Sequence, residues 1–195
     1  MPQTATAFAE SPVPENRRFQ WTVKLYRQLG ELGVFDEDSR IELIDGDLIQ
    51  MPLIGSTHAG CVEQMRRMIE EAAGEAVMVF TQNPVVLGER SEPLPDLAVL
   101  KPKSDFYRSE HPRPEDVLWL VEVSDTTVRY DQTVKVPLYA RNAIPEVWLL
   151  NLPEKRLEVY HGPCRGEYRH LDYYREGTVA PKALPHAAIE LGGFV

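Results

Sequence analysis

Cysteine is scarce in this chain of 195 residues: Cys61 and Cys164 are the only two, far apart and outside any C-x-x-C spacing. Their scarcity excludes a disulfide framework and a cysteine-ligated zinc site, and it fits free thiols in a reducing cytoplasm. Long apolar runs are missing too. No stretch approaches the roughly 18 residues of a membrane span, and the start of the chain has neither the basic nor the apolar segment of a secretory leader, so membrane insertion and secretion are not expected. Positive charge is in deficit, with 21 Lys and Arg against 30 Asp and Glu and a formal net charge of −9. That balance excludes a protein that coats nucleic acid through bulk charge, although a local basic groove remains compatible with it. No Gly/Ser-rich linker divides the chain, so one domain is expected. With 43% hydrophobic residues it can bury a core without a structural metal.

Residues 1–16 are small, proline-containing and without apolar period, and read as a flexible lead-in to a single domain over 17–195. Thr22 is placed to cap a short helix that stops near Gly30. Asp45-Gly46 between the apolar runs RIELI and LIQM predicts a tight hairpin. Val62, Met65 and Ile69 recur at helical spacing, with Arg66, Arg67, Glu70 and Glu71 opposite, predicting an amphipathic helix from His58 to Ala73. Four β-rich runs follow: AVMVF (76–80), PVVLG (84–88), LPDLAVL (94–100) and VLWLVEV (117–123). Residues 101–116 read as a surface loop, 131–143 as a second helix, and EVWLLNL with RLEVYHG as a hairpin. The remaining tail is expected to add at most one or two strands. Strands interleaved with two helices predict an α/β fold with a mixed sheet flanked by helices.

Three carboxylates interrupt apolar strands: Glu42 in RIELI, Asp96 in LPDLAVL and Glu122 in WLVEVS. An unpaired buried carboxylate costs several kcal/mol, so a chain that buries three must supply cations for them. Either each acid lies at a strand end or pairs with a side-chain cation, or the three converge on a divalent metal. The donor set is oxygen only, which suits Mg²⁺ or Mn²⁺ rather than zinc.

Pro95-Asp96 at the start of one strand and Glu122-Val123-Ser124 at the end of the next, with RIELIDG upstream and His58 near a helix start, carry a resemblance. The stretch from about Arg40 to Tyr160 resembles the "putative restriction endonuclease" family within the PD-(D/E)xK nuclease superfamily. The resemblance implies a restriction-endonuclease-like α/β core with an added C-terminal β-hairpin, a metal held by Asp96 and Glu122, and a phosphodiester substrate. The superfamily pattern E-x-K would put a lysine at position 124, where this chain has Ser124, and a hydroxyl cannot replace an ammonium. Arg129, Lys135 and Arg141 are the downstream candidates, and the resemblance implies migration of the lysine to the following helix, which selects Lys135. Pro137 complicates that helix, since an internal proline removes a backbone bond; a late start or a kink after Lys135 would accommodate it.

The expected function is therefore that of a metal-dependent endonuclease acting on DNA. Asp96, Glu122 and the backbone carbonyl of Val123 would hold Mg²⁺ or Mn²⁺, Glu42 would bind a second ion or orient a water, and Lys135 would offset phosphorane charge. Arg17, Arg18, Arg66, Arg67, Lys101, Lys103, Arg108 and Arg113 are the cations available to grip DNA. A homodimer is expected only by analogy with related nucleases. His58 is read as a phosphate contact or a capping group, Asp131 as an N-cap, and Trp119, Trp148, Tyr139 and Tyr160 as packing. Two rival readings are a nuclease fold that has lost catalysis and serves as a binding or assembly module, and a metal-free carboxylate-pair hydrolase. The joint presence of Glu42, Asp96, Glu122 and Lys135 favours an active nuclease.

Overall fold

The computed structural model describes residues 18–36 and 39–192; the lead-in over 1–16 and Arg17 lie outside them. Thr22 caps α1 (Val23–Glu31), its Oγ1 accepting from the Leu25 amide, and the helix runs one residue past Gly30. The Asp45-Gly46 turn joins β1 (Ile41–Ile44) to β2 (Asp47–Gln50). Both turn residues have positive φ, 48° and 86°, the backbone that matches the twist of a two-residue hairpin. α2 (Ser56–Ala73) starts two residues before His58, after an N-cap at Gly55, and buries Val62, Met65, Ile69 and Ala73.

A six-stranded sheet forms the centre, in the order β3 (Met78–Thr81), β4 (Leu97–Leu100), β5 (Val117–Ser124), β6 (Glu146–Asn151), β7 (Arg156–Cys164) and β8 (Glu167–Tyr174). Only β5 and β6 are parallel, so the sheet is mixed, and the helical crossover between them spans 128–141. Alternation along the central strands splits the core in two. Leu97, Val99, Trp119 and Val121 pack with α2 on one face, whereas Ala98, Leu100 and Leu120 pack with Val136, Leu138 and Tyr139 of the crossover on the other. The helices thus flank the sheet on both sides.

Four local expectations are corrected. Residues 84–88 form no strand: Val85, Val86 and Leu87 are buried, but their amides donate to Pro93, Pro112 and Ser91 carbonyls rather than to a ladder. Pro84, Pro93 and Pro95 have no N–H with which to continue one. The second helix begins before 131, as α3 (Val128–Tyr130), a π turn (Asp131–Lys135) and α4 (Val136–Arg141) in continuous succession. The wider π turn precedes Pro137, which cannot donate to the Thr133 carbonyl and whose ring needs the extra room, so the proline is absorbed without ending the helix. Asp131 therefore lies inside a helical run and is no N-cap. The tail adds three strands rather than one or two, β8 and then the short antiparallel pair β9 (Thr178–Val179) and β10 (Ile189–Glu190). Among the described residues, no helix is long and apolar enough to cross a membrane.

Candidate active site at the strand ends

β4 starts one residue after Asp96, and β5 ends two residues after Glu122. Both side chains reach the same edge of the sheet, where they line a cleft of about 250 Å³ together with Val123, Asp131, Lys135, His58 and Arg40. The 51–55 loop closes one side of it, with Leu53 94% exposed at the rim.

Lys135 is the centre of the charge arrangement. It projects from the π turn, is 1% exposed, and places its ammonium 2.8 Å from Glu122 Oε1 and 3.1 Å from Glu42 Oε1. Burial works against its charge, but the two carboxylates outweigh that and hold its pKa well above the ordinary lysine value. For Glu122, burial dominates and pushes the carboxyl up to about 8, although Lys135 opposes it. Tyr139, one turn beyond Lys135, donates its hydroxyl to the same Glu122 oxygen. Glu42 is fully buried; its Oε1 also accepts from the Leu94 amide at 3.0 Å, and its Oε2 has no partner among the described residues.

Asp96 has a different environment. Its Oδ2 accepts from His58 Nε2 at 3.1 Å and from the Val123 amide at 2.9 Å, and its Oδ1 from Gln82 at 3.2 Å. Burial pushes this carboxyl up, but His58, Lys135 and the Val123 amide together bring it below the ordinary aspartate value. The hydrogen bond to Asp96 in turn raises His58 against the effect of its burial. Two acids on one sheet edge thus have opposite tendencies, Asp96 toward the ionised form and Glu122 toward the protonated one.

The structure brings together Glu42, Glu122 and Lys135, and places Asp96 and the Val123 backbone in the cleft beside them. Glu42 is absent from the cleft lining, because Lys135 stands between it and Glu122. Ser124 points toward the crossover helix, where its hydroxyl meets Asp131. Among the described residues, no three of His, Cys, Asp and Glu are grouped to hold a metal as they stand. The donors still suit a hard cation, since Mg²⁺ takes one or two carboxylates and completes its shell with waters or substrate phosphate, and Asp96, Glu122 and the Val123 carbonyl supply a set of that kind.

Sequence reading missed Tyr139 and Gln82, which contact the two acids, and Arg40, a cleft cation. Tyr139 was legible only through its spacing four residues from Lys135; Arg40 and Gln82 carried no signal beyond their charge or polarity. The cations expected to grip DNA are largely committed elsewhere. Arg18 pairs with Asp47, Arg66 with Glu63 and Glu70, Arg67 with Glu71, and Lys103 and Arg113 with Glu110. Lys101 donates to the Glu115 carbonyl, and Arg108 lies over the Phe106 ring.

Among solved structures, the chain is similar to a crystal structure described as "a putative nuclease belonging to DUF820" from Anabaena variabilis. The TM-score is 0.65 at 14% identity, over 84% of this chain and 94% of that one, a likeness of fold. A comparison with curated proteins finds no match. The family model described as "Uma2: Putative restriction endonuclease" matches residues 23–191. Since that match runs from α1 past β10 and encloses every side chain of the cleft, the chain belongs to the Uma2 family.

Proposed function

We propose that this protein is a Mg²⁺- or Mn²⁺-dependent endonuclease that hydrolyses DNA phosphodiester bonds. The observation that carries the reading is the pairing of one buried ammonium with Glu122 and Glu42 beneath a cleft whose lining includes Lys135, Glu122 and a further carboxylate, Asp96. A purely structural ion pair has no need of an open cleft or of a third acid, Asp96, drawn toward its ionised form beside it.

Asp96, Glu122 and the Val123 carbonyl would hold the ion, which supplies Lewis acidity to the phosphate when bound. Lys135 would stabilise negative charge gathering on the phosphoryl group in a site that excludes much of the solvent. Glu42 is better suited to fixing Lys135 than to the second-ion role expected from sequence, because that role requires the ammonium to withdraw. His58 holds Asp96 in place. Arg40 is the cleft cation available to a flanking phosphate, while pairing of Arg66 and Arg67 with α2 glutamates argues that this helix does not grip the substrate.

Calorimetric titration of Mn²⁺ into the protein, with and without Asp96→Ala, tests the metal requirement. Binding to the wild type that disappears in the variant supports the reading; equal binding by both, or none to either, removes it.

A further inference from the structure

The ammonium is carried by a helix rather than by the strand that carries Glu122, so something must set the distance between the two. Two rungs join them. Ser124 Oγ donates to Asp131 Oδ2 at 2.7 Å, and two residues back along the strand Glu122 meets Lys135 and Tyr139. Thr127 Oγ1 donates to the same Asp131 oxygen at 2.7 Å, tying the loop between strand and helix into the joint. Ser124 is fully buried and Asp131 nearly so. The spacings are of one order: two residues of strand span about 6.6 Å, and the π turn from Asp131 to Lys135 rises somewhat less than the roughly 6 Å of four α-helical residues. Chain directions agree as well, since Asp131 to Lys135 runs along the helix as Ser124 to Glu122 runs back along the strand.

We propose that the Ser124–Asp131 hydrogen bond is the strut that sets the position of Lys135 over Glu122, making Ser124 and Asp131 positioning residues of the site. The proposal rests on the reading of Lys135 as the working cation. It also accounts for the serine at the usual lysine position, because a strand that no longer carries the ammonium can instead anchor the helix that does. A lysine has four rotatable stem bonds, and an ammonium delivered from a separate element is only as well placed as that element. Gln132, on the same π turn, also anchors the helix, donating to Glu158 at 2.9 Å. That contact ties it to β7, so that, apart from the contacts of Lys135 and Tyr139 with Glu122 themselves, Ser124–Asp131 is the side-chain hydrogen bond described between the helix and the end of β5.

Two measurements on the full chain test the strut: amide hydrogen exchange over 128–141, and single-turnover cleavage of duplex DNA in Mn²⁺. Loss of a buried hydrogen bond is expected to raise exchange over 128–135 about tenfold in Ser124→Ala and in Asp131→Ala, with the β4–β6 amides rising by no more than the loss of global stability measured in urea. Cleavage should fall by up to about 10²-fold, with Mn²⁺ and DNA affinity held within about twofold, because a misplaced ammonium affects the chemical step rather than binding. The double variant should be no slower than Asp131→Ala alone. Ser124→Thr keeps the hydroxyl and should restore both readouts, which simple loosening of the fold would not predict. Asp131→Asn keeps an oxygen acceptor and serves if Asp131→Ala does not fold. Gln132→Ala, which frees the helix from β7 only, should leave cleavage nearer the wild-type rate than Ser124→Ala does. Unchanged exchange in Ser124→Ala overturns the strut, and raised exchange with undiminished cleavage overturns its positioning role. If the wild type does not cleave DNA at all, the nuclease reading falls, and with it the positioning role, whatever exchange shows of the strut.

Discussion

Replacing Lys135 by methionine keeps the length of the side chain and removes only the charge, so it isolates what the ammonium does for its neighbours. Glu42 and Glu122 would then share a buried site with no cation between them. Removing one partner from a buried ion pair costs about 3–5 kcal/mol, because the remaining charge is left uncompensated. In a domain of this size that corresponds to a fall in Tm of roughly 6–20 °C. The cost should depend on pH in a defined direction. Glu122 is an acid whose folded value, about 8, lies above its ordinary one, so its proton favours the fold, and that contribution fades as pH rises from the carboxylate range through about 8. Without Lys135 the native state must bind about one further proton to neutralise the pair. The destabilisation should therefore grow by up to about 1.4 kcal/mol per pH unit over the range where the variant holds that extra proton. Urea denaturation of wild type and Lys135→Met in metal-free buffer at pH 5, 7 and 9 measures it. A variant as stable as wild type at pH 9 would overturn this expectation, since it would mean that neither carboxylate depends on the ammonium.

The other expectations concern the acids and the hairpin. Asp96→Asn and Glu122→Gln should each abolish Mn²⁺ binding in calorimetry. Asp96 is drawn toward its ionised form and Glu122, pushed up to about 8, toward its protonated one, so at neutral pH the first change should lower Tm more than the second. Mn²⁺ affinity should rise by up to about tenfold per pH unit as pH climbs toward 8, because Glu122 must lose a proton to bind a cation; titrations at pH 6, 7 and 8 that give one affinity would contradict this. Gly46→Ala should cost about 1 kcal/mol in urea denaturation, since φ is 86° there and an added Cβ would meet Gln20 Oε1 at 2.6 Å.

Much of the fold was legible because its signals are local. Asp45-Gly46 demanded a hairpin, and the period of Val62, Met65 and Ile69 demanded a helix with one buried face. The run 84–88 misled because β-propensity reports a buried extended segment without saying whether a ladder partner exists, and prolines here removed it. The site divides in the same way. A carboxylate inside an apolar strand is visible in sequence, so Glu42, Asp96 and Glu122 stood out. Their partners depended on tertiary geometry. The sequence marked Pro137 as a difficulty but not the π turn that absorbs it, and that turn leaves Asp131, Lys135 and Tyr139 against β5. Tyr139 read as packing because an aromatic with helical spacing is usually core, and its ring is indeed buried while its hydroxyl reaches Glu122. The pairing of Arg66 with Glu63 and Glu70 could have been inferred from the three- and four-residue spacing.

Cleavage of supercoiled plasmid in Mn²⁺, followed for wild type, Asp96→Asn and Lys135→Ala and repeated with EDTA, is the decisive assay of the proposed activity. The wild type is expected to nick or linearise the plasmid, and EDTA to stop it. Asp96→Asn should be inactive because it holds no metal, and Lys135→Ala should be inactive although it still binds Mn²⁺. Cleavage that survives EDTA, or Lys135→Ala that cuts at the wild-type rate, would contradict the metal-and-lysine mechanism.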